Sequence, residues 1–208
     1  VFSAMETDYF PRLSGVAFDR QKMSETVNRQ IEVSVLLVAP MLSVFITTLP
    51  LLVPLLFRSD FSPMIPMAQV AVFAMYMKAV SLPMSYIVLA RGDSLAYLLI
   101  EGFDSLLLVG LVIFGYDRWG LTGTGLALTL SYVIDLSIVY LYTSLRYGYR
   151  LSLSVVQMVC IQLPLGVCAY FLSQSRSLLL SWGLCLMLCF VSLSISLYIL
   201  HQKASLWT

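Results

Sequence analysis

The chain has 208 residues, 60% of them hydrophobic and 11% charged, with a formal net charge of +1. A soluble domain carries about 25% charged residues, so the composition excludes an ordinary soluble domain. A balance this close to neutral leaves no basic footprint for nucleic acid.

Residues 1–30 form a lead-in of two parts. Residues 1–10 are too short and too acidic, with Glu6 and Asp8, for a secretory signal peptide. Val1–Leu13 reads as the end of a preceding helix. Residues 19–30 mix charges at i,i+3 and i,i+4 spacing, which suits an interfacial or cytoplasmic amphipathic helix. This lead-in, 1–30, is expected to feed a six-helix transmembrane bundle over 31–208.

Six apolar runs follow, at about 31–57, 64–90, 95–116, 121–144, 154–173 and 179–200. Each is about 20 residues or longer, enough for a helix to cross a hydrocarbon core of roughly 30 Å. A transmembrane barrel alternates apolar and polar residues. Stretches such as Leu106–Phe114 do not alternate. The fold class is therefore an all-α polytopic membrane helix bundle with six transmembrane helices. The connections are short, at 58–63, 91–94, 117–120, 146–153 and 174–177. Short loops predict antiparallel packing of sequential helices and leave no room for a soluble domain.

Six full crossings place Arg12, Arg20, Lys22, Arg29, Arg91, Arg146, Arg150 and Lys203 on one side. The other side receives Arg58, Arg118 and Arg176. The positive-inside rule makes the richer side cytoplasmic, with both ends of the chain there.

Four ionisable residues fall inside the runs: Lys78, Glu101, Asp104 and Asp135. Counting from the cytoplasmic ends of their helices, their depths are about 18, 9, 14 and 14 Å. Three consecutive helices thus bring four charges to one layer. Charge at that depth is costly and faces a polar interior or a partner. Either these groups line a cavity or Lys78 pairs with Asp104 or Asp135 to tie the helices.

Prolines 40, 50, 54, 66, 83 and 164 interrupt the runs and are expected to bend them. Gly120, Gly123 and Gly125 open the fourth run without a preceding strand, so close helix packing outweighs a phosphate loop. Cys160, Cys168, Cys185 and Cys189 read as small buried hydrophobes. His201 is the only histidine. The His-rich constellations of membrane metalloenzymes are absent. No metal, no cofactor and no enzymatic activity is expected. Tyrosines 76, 86, 97, 132, 140 and 142 suit packing, interface anchoring or stacking on sugar rings.

Four stretches in order carry a resemblance: Asp8-Tyr9-Phe10-Pro11-Arg12-Leu13-Ser14; Val27-Asn28-Arg29-Gln30-Ile31 with Ala39-Pro40; Leu89-Ala90-Arg91-Gly92-Asp93; and Trp119-Gly120-Leu121-Thr122-Gly123. Together they resemble polysaccharide transporters, the O-antigen or lipid-linked oligosaccharide flippases of the multidrug/oligosaccharidyl-lipid/polysaccharide exporter superfamily. The likeness covers nearly the whole chain, up to about residue 153 most clearly. It aligns the six runs with helices 9–14 of a 14-helix, two-lobe transporter.

The resemblance implies the C-terminal portion of a flippase. Such a protein moves a lipid-linked oligosaccharide repeat unit for O-antigen, capsule or exopolysaccharide across the bacterial inner membrane by alternating access. The implied partners are the bilayer, the lipid-linked oligosaccharide, the other lobe, and polysaccharide polymerase and chain-length machinery. Lys78 and Arg91 are then candidates for substrate binding. Glu101, Asp104 and Asp135 are candidates for cation coupling or internal ion pairing. Alternative readings are a cation-coupled multidrug exporter of the same superfamily and a non-transporting membrane scaffold.

Overall fold

The computed structural model describes the backbone of residues 2–57, 59–174 and 178–207, and side chains across 7–57, 60–174 and 183–203. Val1, Arg58, Arg176 and the rest of the 175–177 connection lie outside the described residues. The elements are α1 (Phe2–Val16), α2 (Arg20–Leu56), a 3-10 turn (Ser59–Phe61), α3 (Met64–Ala90), α4 (Ser94–Tyr147), α5 (Leu153–Ser173) and α6 (Leu178–Trp207). There is no strand among the described residues. Helices α2 to α6 are each long and apolar enough to cross a membrane. The molecule is an all-α bundle of the membrane type.

Six apolar runs become five long helices because α4 holds two of them. Its 54 residues break at Gly120, whose φ of 60° and ψ of −143° are non-helical. A side chain is strained at such a φ, so glycine suits the turn. The legs fold back as a hairpin, 94–119 and 121–147. Asp104 faces Ser131, and Asp93 faces Tyr142, so residue numbers rise on one leg as they fall on the other. Near the turn the backbones touch. A Cβ on Gly115 would lie 2.5 Å from the Gly123 carbonyl oxygen. The glycines of this stretch thus serve close packing, as their spacing suggested.

Helix α3 packs along the hairpin more extensively than any other pair of elements in the bundle. Its direction matches the second leg: Met67 meets Gly125, and Val70 accepts from Thr129. Against α2 it runs antiparallel, with Gln69 reaching Ile46 and Tyr76 reaching Ala39. The main core gathers at the end of the bundle that carries Arg20, Arg91 and Arg150, here the basic end. Tyr9, Met23, Ile31, Met84, Val139 and Tyr149 meet there, drawn from α1 to α4 and the following loop.

Three expectations gain detail. First, the helix expected over 19–30 runs unbroken into the first span as part of α2 from Arg20. Asp19 caps it, accepting from the backbone N–H groups of Gln21 and Lys22 at 3.1 and 3.2 Å. No glycine or proline follows until Pro40, and Met23, Val27 and Ile31 bury one continuous stripe. Second, α5 does not pack on the leg that precedes it; it lies along α2 and α6. A five-residue link lets it turn away. Third, only Cys185 and Cys189 are buried, while Cys160 and Cys168 are exposed on α5.

Within hydrocarbon, burying apolar surface gives little drive, so packing and hydrogen bonds must hold the helices. The prolines create part of that bonding. Pro50 has no N–H, so the Ile46 carbonyl one turn earlier loses its helical donor. Gln69 Nε2 supplies one at 2.9 Å and bonds Ser173 Oγ at 2.9 Å, joining α2, α3 and α5. Gln69→Leu is expected to cost roughly 1–3 kcal/mol by orphaning that buried acceptor. Adding Pro50→Ala, which restores the helical donor, is expected to recover most of it. Unfolding of detergent-purified protein by SDS measures both; a Gln69→Leu loss that Pro50→Ala does not reduce would refute the assignment.

Candidate functional site

The charge layer lies where α3 packs into the α4 hairpin. Lys78 projects from α3, Glu101 and Asp104 from the first leg, and Asp135 from the second. Asp104 accepts from Ser131 Oγ at 2.8 Å across the hairpin. Ser81, itself buried, hydrogen-bonds Asp135 from α3. Tyr97 hydrogen-bonds Glu101 from one turn earlier on the same helix. Lys78 Nζ sits 5.6 Å from the centroid of the Tyr132 ring, a cation–π distance. The four charges sense one another: Asp135 interacts electrostatically with Asp104, Glu101 and Lys78.

Of the two alternatives, the ion pair of Lys78 with Asp104 or Asp135 is not formed. Lys78 has no carboxylate within 4.0 Å among the described residues. Each of its neighbouring acids takes a hydroxyl donor instead, and the ammonium takes an aromatic face. The layer is therefore a set of charges held apart by Ser81, Tyr97, Ser131 and Tyr132. Burial differs as well: Glu101 is exposed, while Lys78, Asp104 and Asp135 are half-buried. Among the described residues no group of three His, Cys, Asp or Glu side chains is arranged to hold a metal ion.

Arg91 stands apart from this layer, thirteen residues along α3 from Lys78, or roughly 20 Å. Its guanidinium lies between the Phe18 and Tyr147 rings, 5.2 Å from each centroid. Its Nε is buried without a hydrogen-bond partner. Tyr147 and Tyr142 both donate to Asp93 Oδ2, at 2.8 and 3.2 Å. Together Phe18, Arg91, Asp93, Tyr142 and Tyr147 join the α1–α2 turn to both ends of the hairpin. The structure thus places Arg91 at the basic end, away from the Lys78 layer.

Several buried polar groups escaped the sequence reading. Glu32 pairs with Lys203 of α6, which also donates to Ser154 Oγ of α5 at 2.9 Å. Gln162 donates to Ser196 Oγ at 3.0 Å and accepts from Ser192 Oγ at 2.7 Å, linking α5 and α6. Tyr76 is not free to stack on a sugar: it is buried and donates to the Ala39 carbonyl at 3.1 Å. Signals existed for the first two. Glu32 is a carboxylate one residue inside an apolar run, and Ser192 and Ser196 share a helix face at i,i+4.

No protein-family model, curated protein or solved structure matches this chain.

Proposed function

We propose that the chain is the C-terminal part of a flippase that carries lipid-linked oligosaccharide across a bacterial inner membrane, with both ends of the chain on the cytoplasmic side. The observation that carries the proposal is the α3–α4 charge layer, above all exposed Glu101. A carboxylate about 9 Å in from the cytoplasmic end of a membrane helix is costly against lipid tails. Glu101 is therefore better served by a water-filled cavity or another protein surface than by lipid. A central passage between two lobes supplies both. In this reading Lys78, with no carboxylate against it, attracts the anionic diphosphate of the cargo. Asp135 and Glu101 balance that charge or respond to a coupling cation, and Asp104 fixes the hairpin through Ser131. Four sequence stretches in family order add support.

The test is genetic. The encoding gene is deleted in its host and restored as wild type, Lys78→Met or Asp135→Asn, with membrane abundance checked by immunoblot. Both variants are expected to lower surface polysaccharide at least about tenfold, the effect of losing roughly 1.4 kcal/mol of interaction, while lipid-linked oligosaccharide accumulates. Unchanged surface glycan at normal protein abundance would overturn the proposal. Altered drug sensitivity with intact glycan would replace it with drug export.

A further inference from the structure

The separation of α5 from the second leg of α4 leaves a cleft of about 300 Å³ near the basic end. Met84 of α3 lies at its floor, with Leu136 and Tyr140 on one wall and Val155, Val156 and Cys160 on the other. It is almost wholly apolar. A second cavity, of about 420 Å³, has polar and charged side chains among its lining, including Arg20, Ser24, Asn28 and Arg150.

The link 148–152 separates the two cavities and builds both. Gly148 takes a left-handed φ of 69°, and its carbonyl accepts from Arg20 Nε at 2.7 Å. A Cβ there would overlap the arginine's guanidinium. Tyr149 is the partition: its hydroxyl donates to Asn28 Oδ1 at 2.8 Å on the polar side, and its ring meets Tyr140 edge-on at 6.4 Å on the apolar side. Burial, and then nearby Tyr140, pushes the Tyr149 phenol above its usual range, so it remains a neutral donor. Asn28 also fixes the link through its backbone, donating to the Arg150 carbonyl at 2.9 Å and accepting from the Ser152 N–H at 3.1 Å. Arg150 lines the polar cavity and Leu151 the apolar cleft, so neighbouring residues serve the two sides.

The charge of the polar cavity is net basic. Arg20 keeps its terminal N–H groups beyond the Gly148 bond. The side chain of Arg150 is exposed. Glu25, the acid on the rim, is engaged by Gln21 at 3.0 Å. Asp19 nearby is held by the α2 cap and by Lys22.

We infer that this double cavity binds one anionic glycerophospholipid of the surrounding leaflet, its phosphate against Arg20 and Arg150 and one acyl chain in the cleft between α4 and α5. The placement argues for a lipid over a soluble anion. The apolar cleft belongs to helices that cross the membrane, and the basic cavity sits at their ends, where a headgroup lies. Neither cavity needs the transport reading, and the inference stands without it.

The experiment uses the purified protein in phosphatidylcholine vesicles containing a trace of phosphatidylglycerol with a diazirine on one acyl chain. After illumination, crosslinked peptides are mapped by mass spectrometry. Crosslinks are expected to concentrate on residues 136–140 and 151–160. Added unlabelled phosphatidylglycerol is expected to compete at least about fivefold better than phosphatidylcholine, the factor for one basic residue at an anionic surface. Arg150→Gln is expected to reduce that preference about fivefold and Arg150→Lys to keep it. Val156→Trp, at an exposed rim position, is expected to clear crosslinks from the cleft. Equal competition by phosphatidylcholine would overturn the inference. So would labelling spread evenly over the outer faces of α4 and α6, or displacement by inorganic phosphate alone.

Discussion

Gly123→Ala is expected to destabilise the folded protein by at least about 2–3 kcal/mol, the upper range for overpacking a close contact. The added methyl carbon would fall on the carbonyl of Gly115. Backbone faces it, not a side chain that can rotate away, so relief requires the two legs of the hairpin to spread. Gly115→Ala meets the same wall from the other leg, at 2.5 Å from the Gly123 oxygen. Spreading the legs pulls Asp104 from Ser131 and opens the charge layer, so loss of stability and loss of function should appear together. Gly110→Ala is the control: nothing lies within 4 Å of its Cβ position. In a helix interior that change is expected to be neutral or to stabilise by about 0.5–1 kcal/mol. SDS titration of purified protein in mixed micelles measures all three. If Gly123→Ala unfolded with Gly110→Ala, the close contact at the turn would carry no weight.

Hydrophobic length made most of the fold legible. A run of 20 or more apolar residues admits one solution in lipid, and the bounds expected for the second and fifth helices, 64–90 and 154–173, fall within one residue of those found. Lateral arrangement is another matter. Lipid-facing and partner-facing surfaces are both apolar, so nothing in the sequence of α5 separates packing on α4 from packing on α2 and α6. Polar residues carry that information. Gln69, Gln162 and Thr129 each name a neighbouring helix through hydrogen bonds, but their partners are backbone carbonyls and serines that no pattern singles out. The charge layer was legible because depth follows from counting residues. Its internal pairing was not, because side-chain direction around each helix decides whether Lys78 meets a carboxylate or the Tyr132 ring. Glu32 was missed for a related reason. Near the end of a run, a carboxylate reads as rim until Lys203, 171 positions away, is seen against it.

That pair gives the largest single-site effect outside the hairpin. Glu32 and Lys203 join α2 to α6 near the basic end, and Ser154 brings in α5. The Glu32 side chain is 9% exposed and that of Lys203 24%, so removing either partner strands a charge with little water to replace it. Breaking a buried pair from one side costs about 3–5 kcal/mol. The exposure of Lys203 places this one near the lower end, about 3 kcal/mol for Lys203→Met, with Glu32→Leu similar. The double variant removes both charges and leaves apolar side chains in an apolar setting. It is expected to cost far less than the two single losses together, with a coupling of about 2 kcal/mol. The same SDS titration reads the cycle. Additive losses would show that the two charges act independently, and α6 would then be held mainly by the Gln162–Ser192–Ser196 bonds. Strong coupling would make the ion pair the principal polar tie between the first and last long helices of the bundle. In that case its loss should free the basic end of α6 before the rest unfolds, and protease cleavage near Gln202 should precede cleavage in the hairpin.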